Sequence, residues 1–178
     1  TKFGGKHLLN GDVDYVTSGI TASIQQLRIF GANFGTNSQM AVTLKMTQSA
    51  QNGRVTRAGK GTSAGSSITL QISGNKGTEV ITIGASTANS GVTAAVNAVK
   101  DSTGVSAVYV VTSMSFYSTD FGSNQFVSIR DVDTDGNGTL WLNSRDTGRD
   151  AAATINGSQA VAKGIHLSLE TSMLKTAI

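Results

Sequence analysis

The residues of this sequence that could do chemistry are concentrated in one acidic segment, residues 131–137. Carboxylates stand there at alternate positions and are followed by a glycine, which is the pattern of the first half of a calcium-binding loop. The turn at the glycine lets the side chains and one backbone carbonyl converge on a cation. The candidate ligands are therefore Asp131, Asp133, Asp135 and Asn137.

The second half of this segment departs from the calcium pattern, because Leu142 stands where a bidentate glutamate should close the shell. Asp146 or Asp150 could replace the glutamate through space and give a weak site suited to millimolar calcium. Alternatively, residues 131–139 are a solvated turn between two strands, since Asp-Gly and Asn-Gly pairs are strong hairpin signals. Both interpretations stay open, and no other cofactor is predicted.

The rest of the sequence offers no catalytic constellation. The two histidines, His7 and His166, lie far apart, and neither belongs to the His-Glu-x-x-His pattern that binds zinc. Cysteine is absent, which excludes thiol catalysis, thiolate metal sites and disulfides. Because no nucleophile, base and orienting group come together, we do not expect an enzyme.

Charge and hydropathy argue against two classes of partner. Charged residues make up 14% of the chain and the formal net charge is +3, with Lys and Arg scattered rather than clustered. Nucleic-acid binding is therefore not expected. No stretch approaches the roughly 18 to 20 consecutive apolar residues of a membrane-spanning helix, so no membrane partner is predicted either.

The elements that must position these residues are mostly short strands. Alternating apolar residues between Gly, Asn and Ser clusters predict strands at 40–46, 67–72, 79–83, 105–111 and 125–129. In the first of these strands the residues on one face are all apolar, and that face is predicted to be buried. Its members are Met40, Val42, Leu44 and Met46.

One helix is predicted at residues 88–100, behind a candidate cap at Thr87. Its valines recur at helical spacing and form a stripe that should pack on a sheet: Val92, Val96 and Val99. Glycines at 74 and 77 predict a hairpin before this helix. The predicted fold is α+β and predominantly β, with short antiparallel strands and one β-β-α-β unit.

A low-complexity stretch at 59–66 predicts the boundary between two parts of the chain. Residues 1–62 are expected to form an N-terminal β segment. Residues 63–178 are expected to hold the β-β-α-β motif and the C-terminal strands, unless the two parts form one continuous domain.

Three stretches resemble bacterial flagellins. Residues 3–11 are similar to the segment that follows the N-terminal helical core of flagellins, Phe-Asn-Gly-x-x-Leu-Leu-Asp/Asn-Gly, with Gly4 in place of the usual Asn. Residues 70–81 and 94–107 resemble the flagellin and hook-protein repeat with an Ile-Asn signature, present here as Val96-Asn97. Residues 121–128 and 153–169 resemble the strands that lead back to the C-terminal helices.

This resemblance implies a secreted, extracellular structural component of the bacterial flagellar filament, namely the surface-exposed central region of a flagellin. Flagellin subunits contact each other through long terminal helices, and none is predicted in this sequence, so the fragment is expected to be monomeric. The alternative is an extracellular adhesin-like or calcium-stabilised binding module centred on Trp141 and the acidic segment.

Overall fold

The computed structural model describes residues 2–3, 6–7, 15–59, 66–133 and 142–178. In this part of the chain, antiparallel sheets dominate and two short helices accompany them, which confirms the predominantly β class. The strands are β1 (Lys2–Phe3), β2 (Lys6–His7), β3 (Arg28–Ala32), β4 (Leu44–Gln48), β5 (Arg54–Ala58), β6 (Ile68–Gly74), β7 (Thr78–Ile83), β8 (Val105–Val110), β9 (Ser113–Ser118), β10 (Phe126–Asp131), β11 (Asn143–Thr147), β12 (Ala152–Ile155), β13 (Ser158–Gln159), β14 (Val161–Lys163), β15 (His166–Glu170) and β16 (Leu174–Ala177). The helices are α1 (Asn89–Ala98) and α2 (Lys100–Thr103).

The chain divides into two compact units, and each gathers segments that are far apart in sequence. The terminal unit comprises Thr1–Thr47, Ala152–Ala162 and His166–Ile178, and the central unit comprises Gln48–Ala151 and Lys163–Ile165. The boundary expected near residue 62 falls outside the described residues, so the division into 1–62 and 63–178 stays a prediction.

The central unit contains two antiparallel sheets and both helices. One sheet has the strand order β11-β10-β6-β7, and the other has the order β5-β9-β8. Strand β6 alternates strictly between buried and partly buried residues, as its period-two pattern predicts. The apolar core of this unit is formed by Val55, Ile68, Leu70, Ile72, Ile83, Val92, Val96, Val105, Ala107, Met114, Phe116, Val127 and Ile129.

Helix α1 contributes its valine stripe to this core, as predicted. Val92 and Val96 are completely inaccessible to solvent, and Val99 packs against the core from its edge. The predicted cap is wrong, because the helix is preceded by Ala88 and has no side-chain cap. The hydroxyl of Thr87 instead donates to the carbonyl of Gly84 at 2.7 Å, which closes the turn that leads into the helix.

The predicted hairpin at Gly74 and Gly77 is confirmed. The Gly74 N–H donates to the Gly77 carbonyl at 3.0 Å, and β6 pairs with β7 in antiparallel register. Glycine is required at position 74 because a Cβ there would overlap the carbonyl oxygen of Thr103 at the end of α2. The turn and the second helix are thus packed backbone against backbone.

The strand that follows the helices does not join the β6–β7 hairpin. The chain order is strand, strand, helix, strand, as expected, but β8 pairs with β9 in the other sheet. A β-β-α-β unit that shares one sheet is therefore not confirmed. The interval between β7 and β8 connects the two sheets through the two helices.

The strand predicted at 40–46 is displaced, and its apolar face is not buried as expected. Strand β4 begins at Leu44, in a three-stranded sheet of order β13-β12-β4. Val42 is 44% exposed and Met46 is 49% exposed, while Met40 and Leu44 are only partly buried. The neighbouring strands β12 and β13 lie beside β4 in the same sheet, so they pair with its edge and do not bury this face.

The terminal unit also contains a four-stranded sheet of order β14-β15-β16-β3. This sheet buries Leu167, Leu169 and Leu174 on one face. The β12–β13 hairpin turns at Asn156 and Gly157, whose φ angles are 50° and 80°, as a two-residue Asn-Gly turn requires. Among the described residues, no helix is both long and apolar enough to cross a membrane.

Candidate functional site

The side chain of Asn97 binds the outer edge of strand β8. Its Nδ2 donates to the Ala107 carbonyl at 2.9 Å, and its Oδ1 accepts from the Ala107 N–H at 2.8 Å. The preceding residue, Val96, is fully buried and anchors this turn of α1 in the core. Because a primary amide presents one donor and one acceptor side by side, Asn97 substitutes for a neighbouring strand at this position.

The geometry of the β8–β9 hairpin explains why the backbone N–H and carbonyl of Ala107 point away from β9. Val110 pairs with Ser113, so the connection has two residues, and Val110 is in a pair that exchanges hydrogen bonds with β9. Hydrogen-bonded and non-hydrogen-bonded pairs alternate along an antiparallel ladder. The backbone groups of Val105, Ala107 and Tyr109 therefore face away from β9, along the free edge.

The first residue of that edge is held by the end of α2. The Thr103 hydroxyl donates to the Val99 carbonyl at 2.8 Å and accepts from the Val105 N–H at 3.2 Å. Gly104 between them has φ 74°, the left-handed conformation that ends a helix, and its N–H donates to the Lys100 carbonyl at 2.8 Å. The two helices thus cover the first half of the β8 edge.

A second polar site lies where the two ends of the long central segment meet. Asp150 Oδ1 accepts from the Ser123 N–H at 3.0 Å and from the Gly164 N–H at 2.7 Å. Asp150 Oδ2 accepts from the Ser123 hydroxyl at 2.5 Å. The hydrogen bond from the Ser123 hydroxyl, followed by those from the Gly164 and Ser123 backbone, lowers the pKa of Asp150 below its usual value of 3.8.

Glycines let the backbone segments around Asp150 approach closely. Gly122 has φ 123°, and a Cβ there would lie 2.7 Å from Asp150 Oδ1 and 2.8 Å from the Gly164 Cα. The Gln51 carbonyl accepts from the Gly122 N–H at 3.1 Å and from the Arg149 N–H at 2.8 Å. Residues 51, 122, 149, 150 and 164 therefore form one junction, which fastens the ends of the central unit.

The acidic segment is described only in part. Asp131 closes strand β10, and its Oδ1 accepts from the Asp133 N–H at 3.0 Å, which forms a turn stabilised by a side chain. Asp135, Asn137 and Trp141 lie outside the described residues. Calcium binding by Asp131, Asp133, Asp135 and Asn137 therefore stays a prediction.

The two carboxylates considered as substitutes for the missing glutamate are engaged elsewhere. Asp146 Oδ2 accepts from the Arg54 N–H at 2.8 Å, and Asp150 belongs to the junction. Asp146 pairs with Val127, so it lies four residues, or about 13 Å, along β10 from Asp131. Within the described ranges, no group of three or more His, Cys, Asp or Glu side chains could hold a metal ion.

The segment that contains the β6–β7 hairpin, the two helices and Asn97 matches a known sequence family. A family model described as the flagellin hook IN motif matches residues 69–120. The chain carries a flagellin hook IN motif. The matched residues span all but the first residue of β6, then β7, both helices, β8 and β9, and they include Val96 and Asn97.

Two solved structures have a similar fold over 76% of this chain. One contains the D2-D3 domains of the flagellar cap protein FliD from Escherichia coli, with a TM-score of 0.53 and 20% sequence identity over 76% of this chain and 78% of that chain. The other is the flagellar cap protein FliD from Bdellovibrio bacteriovorus, with a TM-score of 0.54 and 15% identity over 76% and 82% of the two chains. At these identities the likeness shows the fold. No curated protein matches the sequence significantly.

Sequence reasoning noted the Val96-Asn97 dipeptide but assigned a role only to Val96. The sequence carries no signal for the role of Asn97, because the free edge of β8 that its amide binds is created only by the strand order of the fold. The role of Asp150 had no local signal. Its partners are 27 and 14 residues away, and only the fold brings them together.

Proposed function

We propose that this chain is an exported structural domain of the bacterial flagellum, specifically the outer, surface-exposed region of a filament subunit. The IN motif at residues 69–120 is the observation that carries this function. The resemblance of residues 3–11 to the segment after the helical core of flagellins favours the filament subunit. Such a domain acts by its fold and its surface, and it needs no catalytic group.

The composition suits a protein that refolds outside the cell after export. The chain contains neither proline nor cysteine. Slow prolyl isomerisation and disulfide exchange are the common causes of folding phases that last seconds or longer, and both are excluded here. The compact central unit, with its motif and its glycine-rich junction, can therefore form rapidly at the growing structure.

The flagellar cap is the second candidate location, and the fold comparison favours it. Both cap proteins share the architecture over 76% of this chain. A cap domain and a filament domain differ in abundance, because a cap occupies only the tip, whereas filament subunits repeat along the whole length. In either location the domain contributes structure rather than chemistry.

Quantitative mass spectrometry of sheared, purified flagella from the bacterium that encodes this chain separates the two locations. A filament subunit is expected to be among the most abundant polypeptides, with peptides from residues 69–120 at the level of the filament mass. A trace amount that does not increase with filament length would assign the chain to the cap. Complete absence from intact flagella would contradict both.

A further inference from the structure

The second half of strand β8 is exposed on both faces. Val108 and Tyr109 are each 50% exposed, Val110 is 67% exposed, and Val111 in the following turn is 87% exposed. An apolar edge strand with this exposure is normally protected in a soluble protein by charges, by a bulge or by a covering element. The four residues 108–111 are called the β8 tip below.

The protection of the β8 edge stops at Ala107. The backbone of Val105 is bound by Thr103, and that of Ala107 is bound by Asn97. Tyr109 is the next residue whose N–H and carbonyl face away from β9. Among the described residues, no hydrogen bond joins these two groups to another element. One donor and one acceptor thus remain, side by side, on an apolar strand.

We propose that the β8 tip is a contact surface for a second copy of this chain, with the two β8 strands antiparallel about Tyr109. In this arrangement each Tyr109 donates its N–H to the other and accepts from it in return, which is the bonding of a hydrogen-bonded antiparallel pair. The contact is isologous, so each copy presents the same surface. Val108 of one copy then lies directly opposite Val110 of the other, on the same face.

Charge favours a second copy over a different partner. Residues 105–119 contain no charged side chain, so the whole hairpin can meet its own copy without repulsion between like charges. A charged peptide or polysaccharide would find no countercharge on this hairpin. The tip offers backbone groups and apolar surface, and a second tip complements both.

The small size of the tip fits a contact between copies that are already held together. Four residues present far less than the roughly 800 Å² per partner of a stable interface, so the free chain should be monomeric at micromolar concentration. Subunits fixed in one assembly have a millimolar effective concentration, at which a weak contact forms. The assembly that holds the copies at high local concentration is the one part of this inference that rests on the proposed function.

Disulfide trapping tests both the contact and its register, because the natural chain has no cysteine. Val108→Cys and Val110→Cys proteins, mixed at millimolar concentration and oxidised, should form the mixed dimer several-fold more than either homodimer. Directly opposed residues lie about 4.5 to 5.5 Å apart between Cα atoms, which suits a disulfide. Val161→Cys is the matched control, since Val161 is 73% exposed on the edge strand β14.

Sedimentation of the cysteine-free chain at micromolar and millimolar concentration provides a second readout. We expect a monomer that becomes partly dimeric at millimolar concentration, and we expect Val110→Lys to abolish the dimer while the far-ultraviolet circular dichroism is unchanged. A chain that stays monomeric at millimolar concentration, or mixed dimers no more abundant than the Val161→Cys dimer, would overturn the contact. Neither result would change where the protein is found on the cell, so this contact and the flagellar function can fail independently.

Discussion

The amide of Asn97 binds the backbone of Ala107 through both of its polar atoms, at 2.8 and 2.9 Å. This pair of hydrogen bonds joins α1 to the edge of β8 and satisfies backbone groups that β9 cannot reach. Ala107 is 4% exposed, so water could replace the amide only in part. Within the segment that matches the IN motif, Asn97 therefore fastens helix α1 to the edge of β8.

Replacing Asn97 with Asp should destabilise the central unit by about 2 kcal/mol, because a carboxylate oxygen would face the Ala107 carbonyl where an N–H donor now stands. Asn97→Ala should cost less, since alanine regains about 0.5 kcal/mol of helix propensity. Urea unfolding followed by circular dichroism measures both. Asn143→Asp makes the same charge change on exposed strand β11 and should stay within about 0.5 kcal/mol of the natural chain. Equal stability of the Asn97→Asp and Asn143→Asp proteins would show that the Asn97 contact contributes nothing.

Asp150 should make stability fall in acid. Its pKa is lowered in the folded protein, so its contribution is complete above the unfolded value near 3.8 and is lost as the pH falls through the lower folded value. Thermal unfolding between pH 6 and pH 2.5 should therefore depend less on pH in Asp150→Asn than in the natural chain. Asp120→Asn is the control, because Asp120 is exposed and its carboxylate has no hydrogen bond within the described part of the chain. Identical pH profiles for the two variants would contradict this role.

Substitution of Gly122 by Ala should destabilise the junction by roughly 3 kcal/mol or more, because the new Cβ would overlap both the Asp150 carboxylate and the Gly164 backbone. A Gly59→Ala variant separates the destabilisation caused by this overlap from that caused by backbone strain. The φ of Gly59 is also positive, at 106°, but a Cβ there would make only an ordinary contact, 3.6 Å from Arg57. Gly59→Ala should cost about 1 to 2 kcal/mol. Differential scanning calorimetry compares the two, and equal losses would mean that close packing at Gly122 is not required.

Calcium binding by Asp131, Asp133, Asp135 and Asn137 is tested by thermal unfolding in excess EDTA and in a few millimolar calcium. A native-state site with calcium at a hundred times Kd adds about 2.7 kcal/mol of stability. Binding predicts an upward shift of Tm that Asp133→Ala removes, while Asp120→Asn retains it. The same Tm in both solutions would leave this segment as a turn.

The local elements of the IN motif could be predicted because their signals are local. The alternation in 67–72 and the valines of α1 report which side chains are buried, and glycines at 74 and 104 mark where the chain turns. The pairing of strands could not be predicted in this way. Strand β10 pairs with β6, more than fifty residues earlier. The sequence of neither strand indicates which other strand it pairs with.

The residues of the candidate site also differ in whether a local sequence pattern predicts their role. Val96 was identified because a helical period can be read from one segment, whereas Asn97 and Asp150 act on backbone that other segments supply. The prediction for residues 40–46 was wrong because alternation indicates an apolar face but not what covers it. Burial of that face depends on which other segment packs on it, and the pattern within one strand does not report that.

Immunogold labelling of intact cells of the bacterium that encodes this chain tests the flagellar function most directly. Antibodies raised against the folded chain should decorate the flagella, because the domain is proposed to face outward from the assembled structure. Label along the whole filament is the predicted result, and label confined to the distal tip would place the domain in the cap. Label on the cell body with bare flagella would contradict a structural role in the flagellum.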